Sequence, residues 1–590
     1  MSAFAGVFFR RTDEETGRDL TTELARVLSI QSAGQHTTAF STKRAFFLKF
    51  DPGSFGTSAA TELRPGQVAV MAGHPYVDGV VSTNRSDHLG ELAKYADLAD
   101  LNKLSNARGS YCMAFSSDSD RRLVLAADCL GIRPLYYWAD SAKVIFANTL
   151  KTFEMFRGLQ LGYCERGAIE LAVFGYSLAD RTQFANVKCL RGGEALTFTE
   201  DKVESTVYWQ WKGPQSSQTM SPPDYETVFN AFTDAVRLRL AQDQRVMAFL
   251  TGGMDSRCIV AELGIAGAKI NTSNFAPANS QDLLFGARLA KALATRHYEY
   301  PMPSASVASK IPLVLPKWID ATEADGVRAT HPKLIWSGDG GSVGLGHVYL
   351  NDDMVSLAEG HTEDDALQLM LKHNFWQVPV RTLRAELAAR IGDYPLRGLR
   401  QEFDRINCAD PGRKLHILLM ITDQHRHLFD HYERIFETGC ELHLPFFDRE
   451  FLASVIAQPA RPFINHRFYN RWMKLFPRAL NEIPWQAYPL HEPCPVPITD
   501  DLKYQWNPGD NKIEAAKSRQ TICARTLDRL LRREYRNFPI DGLRLWQAWL
   551  MTTLRIRNYD YALTFADTAC PAKSGHQART KKRGHGRNVC

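Results

Sequence analysis

The sequence predicts two domains, a β-rich one over residues 1–210 and a parallel α/β one over residues 225–562, joined by a linker over residues 211–224. Three observations carry this. The first 210 residues alternate short apolar runs with turns, as in AFAGVFF, AFFLKF, QVAVMAG, YCMAF, RLVLAA, PLYYWA and KVIFAN, a strand pattern with few long helical periods. Residues 211–224, WKGPQSSQTMSPPD, collect Pro, Ser, Gln and Gly, the composition of a linker. From Tyr225 the text turns to amphipathic helix, short apolar strand, turn and helix again, and that alternation argues a parallel sheet with helical crossovers. At 590 residues and 44% hydrophobic content, the chain can bury two cores.

Taken in order, the second domain opens with the helical YETVFNAFTDAVRLRLAQ, the strand RVMAFL and the helix that follows TGGMDSR. AKINTSNF and HPKLIWSG are further strands, with a helical stretch at Leu283–Leu293 between them. Residues 360–560 read as mostly helical, interrupted by a Pro-rich insert at Pro489–Asp510, and no internal repeat is visible. Residues 563–590 read as a basic, disordered tail.

Several function classes drop out. No apolar run is long enough to span a bilayer, and Met1–Arg10 is too short for a signal peptide, so a soluble cytoplasmic protein is expected without a membrane partner. Eleven cysteines lie scattered without a CxxC or Cys/His cluster, which indicates reduced thiols rather than zinc or a disulfide framework. The net charge of +6 is small for this length. Much of it sits in Lys573–Arg587, where no aromatic interleaving accompanies the charge, so no nucleic-acid partner is expected.

The chemistry is carried by VMAFLTGGMDSR. An apolar strand ending at Leu250 runs through Thr251, Gly252, Gly253, Met254, Asp255 and Ser256 into a helix. Glycines there let backbone N–H groups approach phosphate oxygens, the helix N-terminus adds unpaired donors, and Ser256 adds a hydroxyl. Asp255 can hold the Mg²⁺ that bridges the phosphates.

The string resembles the SGGxDS pyrophosphate loop of the N-type ATP pyrophosphatases, with Thr251 in place of the first Ser. Trp336–Leu350, WSGDGGSVGLGHVYL, is similar to the SGEGSDELFGGY segment of asparagine synthetases, and Glu441–Asp448, ELHLPFFD, to their ExRxPFLD. In the first domain LAADCLGIRPLYYW resembles LARDxLGIKPLYY, and Tyr208–Trp209 resembles the family's tyrosine–tryptophan pair. The resemblance to the asparagine synthetase superfamily thus spans roughly residues 1 to 490.

For the fold, the resemblance implies an N-terminal Ntn-hydrolase-like β-sandwich, the family's glutaminase, followed by an adenine nucleotide α-hydrolase-like (HUP) synthetase domain. For the site it implies ATP binding by Leu250, Thr251, Gly252, Gly253, Asp255, Ser256, Phe275, Ser337 and Gly338, with Leu250 and Phe275 making backbone contacts to adenine. Departures matter as much. Ser2 stands where the family has its nucleophilic cysteine, and AGHPY at Ala72–Tyr76 lacks the asparagine of NGExY, so glutaminase activity is not expected. Ser342 stands at the second magnesium carboxylate, which makes Asp339 the candidate second ligand, with helix capping as its alternative role. Arg467 in RFYNR stands at the lysine of KYLLR and is the candidate for steadying negative charge on phosphorus, with Lys474 in reserve.

A superfamily member that makes no ammonia takes its amine from elsewhere. Superfamily enzymes with degenerate glutaminase domains often use an amine within the substrate, as β-lactam synthetases and lasso peptide macrolactam cyclases do. Asp339, where β-lactam synthetases carry a Tyr, and the TGGxDSR form of the loop ending in Arg257 favour the macrolactam cyclases. The expected substrate is then a precursor peptide, with a leader peptidase as partner. A ligase using free ammonia or a small amine, and a catalytically dead binding homologue, remain as alternatives. Glu433, Glu437 and Asp430 are candidates for the general base.

Overall fold

The computed structural model describes residues 3–11, 14–32, 37–215, 222–302, 307–360, 362–422, 424–498, 502, 504 and 512–570. Ser2, linker residues 216–221, parts of the Pro-rich insert, and Lys573–Arg587 of the expected tail lie outside them.

The first domain is built on two six-stranded antiparallel sheets. Ala3–Phe9 lies inside one, between Lys143–Ala147 and Ala45–Phe50. Tyr111–Ser117 lies inside the other, between Gln67–Gly73 and Arg122–Ala127. Gln67–Gly73 shows why such strands read as continuous apolar runs: Val68, Val70 and Ala72 face the first sheet, while Ala69 and Met71 face a helix. Phe4, Phe8 and Phe47 meet Val70, Ala114 and Leu125 in the core between the sheets. The outer faces are covered by Glu14–Gln31, through Leu24, Val27 and Leu28, and by Arg85–Asp97, through Leu89, Leu92 and Ala96. These two helices depart from the expectation of few helical periods in this half, because each buries a narrow stripe within otherwise polar text.

The second domain carries a five-stranded parallel sheet in the order Arg296–Glu299, Lys269–Asn274, Arg245–Phe249, Leu334–Trp336, Glu441–His443. The strand that comes first in the chain is central. From it the chain winds to one side through the helices Asp255–Ile265 and Gln281–Ala292, and only later returns to the other side. Residues beyond this sheet are mostly helical, as expected.

One boundary differs from expectation. The helix Asp560–Ala569 runs through the start of the expected tail and buries Leu563, Phe565, Ala566 and Ala569 against the helices Lys512–Leu531 and Glu165–Phe174. The linker is anchored at its start, where the Trp211 indole N–H donates to the Cys129 carbonyl at 2.9 Å. Among the described residues no helix is long and apolar enough to cross a membrane.

Candidate active site

An open parallel sheet leaves a crevice at the C-terminal ends of two neighbouring strands whose connections depart in opposite directions. Here those strands are Arg245–Phe249 and Leu334–Trp336, and the loops that leave them are Leu250–Asp255 and Ser337–Gly341. The two loops are pressed together. A Cβ on Gly338 would lie 2.6 Å from the Ser256 nitrogen, and one on Gly341 would lie 2.7 Å from the Asp255 carboxylate, so only glycine lets the second loop seat on the first.

Asp255 stands at the centre. Its Oδ2 accepts the Ser342 N–H at 3.0 Å, while its Oδ1 accepts the Ser342 hydroxyl at 2.9 Å and the Tyr469 hydroxyl at 2.9 Å. Three hydrogen bonds leave acceptor capacity on Oδ2. Burial pushes its carboxyl up to about 6, against the pull of those hydrogen bonds, and the Asp339 carboxylate adds to the rise.

Asp339 is exposed at the mouth, where its Oδ2 accepts the Ser337 hydroxyl at 2.7 Å. It caps no helix, since the position before Gly341–Gly344 is Gly340. The donor set therefore fits a magnesium ion, which takes one or two protein carboxylates and completes its shell with phosphate and water. No cluster of three metal-ligating side chains exists among the described residues.

The loop also fits an anion. The Gly252 N–H donates to the Asp282 carboxylate at 2.6 Å, so an acidic oxygen already sits on one of its donors. Thr251 N–H donates to the Ser256 hydroxyl at 2.9 Å, and Gly253 N–H to the Thr251 hydroxyl at 3.3 Å. The segment after the helices covers the loop: Gln486 N–H donates to the Gly252 carbonyl at 3.2 Å. Arg257, buried at the helix start, donates to the carbonyls of Gly253, Leu480, Ile483 and Pro484 at 2.8–3.1 Å. In this structure the arginine of TGGxDSR ties that cover to the loop.

The Leu250 side chain is buried in the core, and the half-buried Phe275 ring packs on Phe249, Tyr300 and Trp318. Arg467 is not brought to Asp255. Its guanidinium is taken up by Asp352 at 3.0 Å and by the carbonyls of Ile464 and Arg461. On the helix Arg467–Trp472, the residue that reaches Asp255 is Tyr469, two positions on and about 200° round the helix. The reserve Lys474 is exposed.

The three base candidates face elsewhere too. Glu433 accepts the N–H groups of Leu150 and Lys151, Glu437 is exposed beside Arg434, and Asp430 is exposed. Tyr469 and Asp282 escaped the sequence analysis. Asp282 had a local signal, an acid in the first turn after the N-cap Ser280, but nothing pointed it at Gly252.

Beside Ala72–Tyr76 the His74 ring stacks on Tyr76 with centroids 4.3 Å apart. A void of about 10 Å³, bounded by Phe55, His74, Tyr76, Arg133, Arg239 and His443, lies where the domains meet. That is room for about one water. Buried Arg85 binds Asp51, and buried Arg133 crosses to Glu441 beside the void. Arg108 and Arg239 both bind Asp448, at 2.8 and 2.9 Å, and hold its carboxyl below its usual range although burial pushes the other way.

Residues 83–209 match the glutamine amidotransferase domain family and residues 227–337 the asparagine synthase family. Among curated relatives, amidase chyE of Penicillium rubens is 31% identical over 30% of this chain and 27% of its own length. Asparagine synthetase [glutamine-hydrolyzing] 3 of Bacillus subtilis is 30% identical over 24% of this chain and 24% of its own. The chain thus spans about a quarter of the length of the relatives it matches. A solved glutamine phosphoribosylpyrophosphate amidotransferase from B. subtilis overlaps 57% of this chain and 81% of its own, at 12% identity and a TM-score of 0.24.

Proposed function

For a chain whose two domains are those of the asparagine synthetase superfamily, we propose an ATP-dependent carbon–nitrogen ligase that activates a carboxylate as its adenylate and closes it on an amine of the same substrate. The substrate we infer is a precursor peptide whose side-chain carboxylate closes a macrolactam, with a leader peptidase acting beside the enzyme, as in lasso peptide biosynthesis. The observation that carries the reading is the crevice around Asp255, where the loops Leu250–Asp255 and Ser337–Gly341 meet.

In this reading the substrate carboxylate attacks the α-phosphorus, a P–O bond forms, and the bond to the bridging oxygen breaks as pyrophosphate leaves. The amine nitrogen then attacks the acyl carbon, AMP departs with the C–O electron pair, and the amine gives up one proton. The N–H groups at the start of helix Asp255–Ile265 would be the donors to the leaving phosphates. Mg²⁺ held by Asp255 and Asp339 would neutralise the charge that builds on them. Tyr469 and Ser342 orient Asp255, and Gln486 lies over Gly252 where water has to be excluded from a reactive adenylate.

The test is carboxylate-dependent release of pyrophosphate from Mg·ATP, scored with peptides encoded near the gene for loss of one water in mass. Pyrophosphate release with no such peptide, but with aspartate and ammonia, would instead support the second reading, an intermolecular ligase. That reading is favoured by the asparagine synthetases among the relatives.

A further inference from the structure

The segment that covers the phosphate loop is fastened at both ends. Gln486 N–H donates to the Gly252 carbonyl at 3.2 Å, and Glu492 N–H donates to the Asn465 carbonyl at 3.0 Å. Between these points the His491 ring meets the His466 ring, Nδ1 to Nδ1 at 2.5 Å, and the Tyr488 ring stacks on His466 with centroids 5.3 Å apart. The Asn470 side-chain amide donates to the Glu492 carboxylate at 3.1 Å. His466 is tied to the crevice as well. Its ring stacks on Tyr469, whose hydroxyl reaches Asp255, and its N–H donates to the carbonyl of Gly346, whose own N–H donates to the Ser342 carbonyl at 3.0 Å.

The backbone holds that ring in place at a cost. Asn465 and His466 carry left-handed φ angles of 57° and 62°, which two successive non-glycine residues keep only where their surroundings enforce it. A Cβ on Gly346 would lie 2.4 Å from His466 Nε2, so a glycine there is what lets the ring enter. That Nε2 is buried and has no hydrogen-bond partner among the described residues. A buried N–H without an acceptor is rarer than a buried lone pair without a donor, so the proton of His466 belongs on Nδ1, where it donates to His491 Nδ1. Both rings are neutral near pH 7, because burial holds them well below the ordinary histidine range, at about 3 for His466 and about 4 for His491.

We propose that His466 and His491 form a latch that holds residues 486–492 over the phosphate loop, a positioning pair that keeps water from the acyl-adenylate until the amine attacks. The adenylate in this statement rests on the ligase reading, whereas the latch itself is measured without substrate. With the latch released, the oxygen of water bonds to the acyl carbon, the C–O bond to AMP breaks, and one proton is released. ATP is then spent, the carboxylate returns unchanged and no amide forms.

The experiment compares the full chain with His491→Phe, which keeps a ring but offers no acceptor, and with His491→Asn, whose amide oxygen can accept. Amide hydrogen exchange is followed over residues 486–492, and the product released per AMP is measured with Mg·ATP and the peptides encoded near the gene. Exchange about fivefold faster in His491→Phe, close to the unsubstituted rate in His491→Asn, is expected, together with about fivefold less product per AMP in His491→Phe alone. Equal exchange in all three chains overturns the latch, and faster exchange with unchanged product per AMP overturns its part in excluding water. If none of the chains forms AMP, the ligase reading fails and the exchange rates still decide the latch. Should His491→Phe fail to fold, ¹⁵N NMR of the histidine tautomers in the unsubstituted chain decides: His466 protonated on Nδ1 supports the latch, and on Nε2 overturns it.

Discussion

At Asp255 the carboxyl is raised from 3.8 to about 6, first by burial, so the folded chain binds more protons there than the unfolded chain does. The stability this group contributes is therefore fully present below about 3.8 and is lost as pH rises through about 6, until a cation takes the proton's place. Two outcomes follow. Binding of Mg·ATP near pH 6 releases protons, seen as a buffer-dependent heat in calorimetry, and Asp255→Asn removes both that release and pyrophosphate formation. Tyr469→Phe deletes a hydrogen bond that lowers the carboxyl, so the pH midpoint of pyrophosphate release moves upward, with activity reduced several-fold near pH 6 and closer to normal at pH 8. An unchanged midpoint would take Tyr469 out of the site. Of these residues Asp255 was legible in the sequence, because strand, glycines, acid and hydroxyl are contiguous from Leu250 to Ser256. Tyr469 was not. It is 214 residues away along the chain, and only the way its helix packs sets which of its side chains points inward.

The elements repeat that contrast. The central strand, the loop and the following helix could be read off VMAFLTGGMDSR, since their signals are local. Arg467 was read from its position in RFYNR, and the helix turned that position toward Asp352 instead. Arg257 was read as a family mark, and its partners show an anchoring role: four carbonyls from the loop and from Leu480–Pro484 converge on one buried guanidinium. Arg257→Met leaves those carbonyls without donors at an expected cost of roughly 3 kcal/mol. Urea denaturation reads it, and a loss below about 1 kcal/mol would mean the cover holds to the loop without that arginine. The helices Glu14–Gln31 and Arg85–Asp97 went unread because their buried stripes are narrow within polar text.

Across the whole molecule the two domains are joined by buried charge. Arg133 reaches Glu441 on the edge strand of the parallel sheet, and Asp448 gathers one arginine from each domain. Removing the cation that faces a buried acid is expensive, so Arg133→Met is expected to destabilise the chain by about 3–5 kcal/mol, and Arg133→Met with Glu441→Gln by distinctly less. Equal losses in the single and double variants, measured by chemical denaturation, would deny the coupling. The seam was the least legible part of the sequence, because it depends on pairs more than 300 residues apart, such as Arg133 with Glu441 and Arg108 with Asp448. Two domains and their order were readable. The most direct test follows the nitrogen. The full chain is incubated with Mg·ATP, its substrate and glutamine labelled with ¹⁵N in the amide, and the product mass is read. The expected product has lost one water and carries no label, whereas transfer of ¹⁵N from glutamine into the product would contradict an amine that arrives with the substrate.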